Sequence, residues 1–69
     1  MTWVIKDVGT NEYYRRSPGN GWYHSDLSTA RFYESRVAAE RTIDSGNHHV
    51  SYPGTRSLVA VEVEIRELQ

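Results

Sequence analysis

Chemistry in this sequence is most concentrated where Tyr13, Tyr14, Arg15 and Arg16 meet Trp22, Tyr23 and His24 across Ser17-Pro18-Gly19-Asn20-Gly21. Pro18 presets the backbone angle at the second position of a turn, and Gly19, Asn20 and Gly21 accept left-handed angles. The chain is therefore expected to reverse there and set the two groups side by side. Tyrosine, tryptophan and arginine most often anchor protein interfaces, while exposed rings with arginines also suit nucleic acid, the rings stacking on bases and the arginines meeting phosphates. Neighbouring strand residues point to opposite faces, so Tyr13 and Tyr14 cannot both face inward. Trp22 can serve either a core that needs large rings or a docking surface. The expected anchors are Tyr14, Arg16, Trp22 and Tyr23, with Arg15 and His24 beside them.

His48 and His49 form a second, smaller group. Consecutive residues rarely present both imidazoles to one metal, and no carboxylate or cysteine completes a ligand set nearby. They read as partner-facing loop residues, with no metal expected. Ser25 or Ser51 beside a histidine, or Asp26 with Glu34, is a pairing that any short chain contains. A sheet this small also offers little concave volume, so neither catalysis nor a cofactor is expected. Gly19-Asn20-Gly21 does not read as a phosphate cradle, because no helix follows it directly.

The elements that must position these residues are short. Trp3 to Val8 is aromatic and β-branched and ends at Gly9-Thr10-Asn11, a strand and a turn; Glu12 to Arg16 and Trp22 to His24 continue as a meander. Asp26 or Ser28 caps a short turn ahead of Phe32, a core candidate. Ser35 is placed as the N-cap of a helix over residues 36–44, and Gly46 lies where such a helix stops. Phe32, Ala39 and Ile43 fall near one face, with Arg36 and Glu40 four apart on a wet flank. Residues 47–57 show no periodicity and read as a long loop. Val59, Val61, Val63 and Ile65 alternate with Ala60, Glu62, Glu64 and Arg66, which predicts a strand with the first set toward the helix. The expected fold is α+β, a single domain over residues 1–69 with one antiparallel sheet in β-β-β-α-β order and one helix packed on one face.

Composition bounds the function further. A chain of 69 residues has room for one core, and its lack of cysteines removes disulfides and thiolate metal sites and suits a reducing cytoplasm. Met1 to Asp7 reaches charge after three apolar residues, too short for a signal peptide or membrane span, so no membrane partner is expected. A net charge of −1 argues against binding nucleic acid in bulk and against imitating it. Glu62 and Glu64, expected on the open sheet face with the rings, would repel phosphate. The main expectation is thus a protein partner, with a nucleic-acid accessory role as the alternative and self-association through the apolar edge around Val59 to Ile65 as a third.

The succession Trp22, Leu27, Ala30, Phe32, Ser35, Ala39 and Ile43, framed by strands on both sides, resembles small proteins encoded by bacteriophages and prophages. The resemblance spans about half the chain and carries no catalytic motif. It implies a host-cell setting and an inhibitor, such as an anti-CRISPR protein, that occupies a surface on a host machine such as a CRISPR-Cas effector. Several such inhibitors are markedly acidic and mimic DNA, and the net charge of −1 departs from that pattern.

Overall fold

A computed structural model of the chain describes residues 2–16, 21–45, 48–51, 54 and 56–64. Strands β1 (Thr2–Asp7), β2 (Glu12–Tyr14) and β3 (Tyr23–His24) precede a 3-10 turn at Leu27–Thr29, then helix α1 (Arg36–Ile43), the one-turn helix α2 (His48–Ser51) and strand β4 (Leu58–Val63). The strands form one antiparallel sheet in the order β3-β2-β1-β4, so the last strand returns to lie beside the first. The α+β class and the β-β-β-α-β order follow the sequence. The four-residue α2 corrects the reading of residues 47–57 as loop. A single turn is too short to show periodicity, and what fixes it is tertiary: Val50 is fully buried and its carbonyl accepts a 2.6 Å hydrogen bond from the Tyr23 hydroxyl.

Local chemistry sets the boundaries. Asn11 closes the β1–β2 turn at φ 63°, a left-handed angle that asparagine tolerates, with its N–H donating to Asp7 O at 2.7 Å. Gly21 leaves the second turn at φ 126°, where a side chain would be strained. Ser17 to Asn20, which carry the rest of that turn's chemistry, lie outside the described residues, as do Gly46 and Ile65. The Ser35 hydroxyl accepts from Ala38 N–H at 3.1 Å and starts α1 as expected, and Arg36 pairs with Glu40 at 3.0 Å one turn on. Asp26 caps the 3-10 turn by accepting from Ser28, whose hydroxyl and N–H hold the Asp26 carboxyl below the usual carboxylate range.

Directly paired residues share a face, so the register sorts the sheet. Ile5 with Ala60, Asp7 with Leu58, and Tyr14 with Tyr23 lie on one face; Lys6 with Val59 and Tyr13, Val4 with Val61, and Tyr13 with His24 lie on the other. The first face packs under the helices, where Ile5, Tyr14, Tyr23, Ala39 and Val50 form the core with Trp3, Trp22, Tyr33, Ile43, Leu58 and Ala60 half-buried around it. This reverses the expected phase of the last strand. Leu58, Val59, Ala60 and Val61 are apolar at both parities, so alternation alone does not choose a face. The small Ala60, opposite Ile5, packs against the core that also holds Ala39 of α1. Val59 is left 40% exposed on the far side. Phe32 is likewise half-buried outside the helix-side core. Its neighbour Tyr33 takes that place, exchanging two backbone hydrogen bonds of 2.8 and 2.9 Å with Trp3. The far face is not bare, since Val4 there is fully buried.

Candidate interaction surface

The antiparallel pairing of β2 with β3 and the single turn of α2 bring four rings into a series that runs from core to solvent. Tyr23 and Tyr14, partners in the ladder, have ring centroids 5.6 Å apart with planes tilted by 55°. Tyr14 stacks on Trp22 at 5.8 Å and 16°, and Trp22 meets His49 at 4.5 Å and 32°. Tyr14 and Tyr23 are buried, Trp22 is half-buried and His49 is exposed. The inner rings therefore hold the outer pair in place, and the outer pair presents an edge of tryptophan and imidazole to solvent. Burial raises the Tyr14 hydroxyl pKa, helped by Tyr33 and opposed by Arg31. Burial pushes the Tyr23 hydroxyl up much further, against the lowering effect of Arg56.

Arg15 is held beside Trp22, and Arg16 follows it in the chain. Arg15 N–H donates to Trp22 O at 2.8 Å and its Nη1 to Gly21 O at 3.1 Å, which fixes the arginine stem against the turn. Arg16 is exposed, with its backbone N–H donating to Thr29 O at 3.3 Å. The result is a rigid aromatic surface with cationic neighbours, suited to a flat apolar group or an anionic one.

Set against the expected residues, the structure joins Trp22 to His49, holds Arg15 on the carbonyls of Trp22 and Gly21, and withdraws Tyr14 and Tyr23. Those two were expected to anchor an open sheet face but lie on the helix side, at 7% and 8% exposure, because a core this small needs their area. His24 is exposed on the opposite face, beside Tyr13, with its Nδ1 accepting from Asp26 N–H at 3.0 Å. The side chain of His48 lies outside the described residues. The contact of Trp22 with His49 had no signal in the sequence, since the two lie far apart along the chain and α2 was not legible.

Sequence reasoning also missed Arg56. Its Nη1 donates to Asp7 Oδ2 at 2.9 Å, and its guanidinium lies 3.7 Å from the Tyr23 ring centroid. Asp7 also accepts from Gly9 N–H at 2.9 Å and Thr10 N–H at 3.4 Å. Burial raises the Asp7 pKa, but these hydrogen bonds from Gly9, Arg56 and Thr10 outweigh it and hold the carboxyl below its ordinary value. This network ties the start of β4 to the first turn and to the core.

A cleft of about 390 Å3 opens between α1 and β4, lined by Arg36, Glu40, Ile43 and Asp44 on one side and Leu58 and Ala60 on the other. None of the residues expected to bind a partner lines it. Among the described residues no group of three or more His, Cys, Asp or Glu side chains gathers to hold a metal, and no helix is long and apolar enough to cross a membrane. No protein-family model matches the chain, and no curated protein or solved structure matches it either.

Proposed function

We propose that this chain is a non-enzymatic protein-binding module whose contact surface is the Trp22–His49 pair with Arg15 and Arg16, and that it acts by covering a surface on a larger partner. The observation that carries the reading is the ring series: an exposed imidazole on a half-buried tryptophan, itself stacked on a buried tyrosine. A pre-ordered aromatic edge beside arginines loses little conformational freedom on binding, which is what an interface anchor requires. The resemblance to phage-encoded inhibitors supplies the class of target, a host machine such as a CRISPR effector, and that part of the reading rests on the resemblance alone.

A second reading, a nucleic-acid accessory protein, gains from the corrected register. Glu62 does not share a face with Lys6, Tyr13 and His24, so the repulsion expected from it on that face is gone. Lys6 Nζ lies 5.7 Å from the Tyr13 ring centroid, a cation over an aromatic on the face opposite the helices.

Capture from a nuclease-treated bacterial lysate, run in parallel with wild type and with the Arg16→Ala/His49→Ala variant, separates these readings. A protein retained by wild type and lost by the variant supports the surface. Capture that disappears with nuclease and weakens steeply with salt supports the second reading.

A further inference from the structure

The two edges of the sheet are built differently. β3 is two residues long, an edge too short to template another strand, whereas β4 offers six residues, Leu58 to Val63, with Glu62 as its single charge and neither proline nor bulge. Among the described residues no strand lies beyond β4. Register shows which backbone groups are free. Val8 N–H donates to Ser57 O at 3.0 Å, so Ser57 and, by alternation, Val59, Val61 and Val63 turn their N–H and C=O groups toward β1. Leu58, Ala60 and Glu62 turn theirs outward.

We infer that the free edge of β4 is the site at which a second copy of this chain pairs, antiparallel, about a two-fold axis at Ala60. The outward set is self-complementary. Leu58 opposes Glu62 of the partner copy, Ala60 opposes Ala60, and each of these pairs exchanges two hydrogen bonds. Val59 and Val61, both on the face away from the helices, become direct cross-strand neighbours, a favourable β-branched pair. The two Glu62 side chains are held apart in this register, each facing a leucine, so like charges do not oppose. The pairing continues the sheet of one copy into that of the other and closes the open side of the cleft between α1 and β4. Each Trp22–His49 surface is left at an outer end, because β3 and β4 are opposite edges. The pair is therefore bivalent toward its target.

Sedimentation velocity of the full chain across a concentration series, with amide hydrogen exchange by NMR, tests this independently of any partner. The expected result is a reversible dimer of the 8.0 kDa chain in which the Leu58, Ala60 and Glu62 amides gain protection as concentration rises. The Val59, Val61 and Val63 amides are protected throughout. Ala60→Pro removes an outward donor and leaves the β1 ladder intact. It is expected to raise the dissociation constant at least roughly tenfold, from the two interchain bonds lost. If that variant does not fold, the exchange pattern of the wild type still decides. A monomer up to millimolar concentration overturns the inference, and so does a dimer in which those three edge amides stay unprotected. Absence of a wild-type dimer with partner capture intact refutes this interface and leaves the proposed function standing.

Discussion

Replacing Arg56 by methionine keeps the aliphatic stem and removes the guanidinium that joins Asp7 to the Tyr23 ring. Asp7 is left as a carboxylate at 3% side-chain exposure that keeps the backbone N–H groups of Gly9, Thr10 and Ser57. Breaking a buried pair by removing one partner costs about 3–5 kcal/mol. The remaining backbone N–H donors and the 19% exposure of Arg56 set the loss at the low end, about 3 kcal/mol, with the lost cation–π contact included. In a domain of this size that lowers the melting midpoint by roughly 12–24 °C. Urea unfolding followed by circular dichroism, on Asp7→Asn, Arg56→Met and the double variant, measures both the loss and the coupling. A coupling above about 1 kcal/mol is expected. An Arg56→Met loss below about 1 kcal/mol, or strictly additive single losses, refutes the argument that this pair ties β4 to the first turn.

Because the Asp7 carboxyl titrates below its unfolded value, its contribution is present above the unfolded pKa of about 3.9 and disappears as pH falls through the folded one. Unfolding free energy measured across that acid window falls more steeply in wild type than in Asp7→Asn. At the alkaline end the sign is opposite. Tyr14 and Tyr23 are raised, so their stabilisation is complete below the ordinary tyrosine range and is lost as pH rises through it. Ultraviolet titration of the five tyrosines should show two that ionise only as the fold opens. Ser35→Ala removes the α1 cap and is expected to cost about 1 kcal/mol by urea unfolding.

The parts of the fold that rest on local chemistry were legible. Ser35, Asp26 and Asn11 act within a few positions of themselves, so their types announce their roles. Where a choice depended on distant partners, residue type did not decide it. Leu58 to Val61 fit either face, and only the pairing of Ala60 with Ile5, in the core with Ala39, fixes which one is buried. The same limit governs the candidate site. Trp22 and the arginines stood out because strong turn chemistry lies between their segments in the sequence, whereas His49 gained its place from a one-turn helix held by Val50 and Tyr23. Tyr14 and Tyr23 look like anchors by composition and are core by need. An Arg16→Ala/Tyr14→Ala test would confuse lost binding with lost folding, and Arg16→Ala/His49→Ala avoids this because both residues are exposed.

The central claim is that the Trp22–His49 surface binds and can be separated from the fold. Its most direct test is calorimetric titration of the captured partner with wild type and with Arg16→Ala/His49→Ala, each first shown to melt at the same temperature. The account predicts a loss of at least about 2 kcal/mol in binding free energy at unchanged stability. Equal affinity for the two proteins would contradict it and remove this surface from the proposed interface.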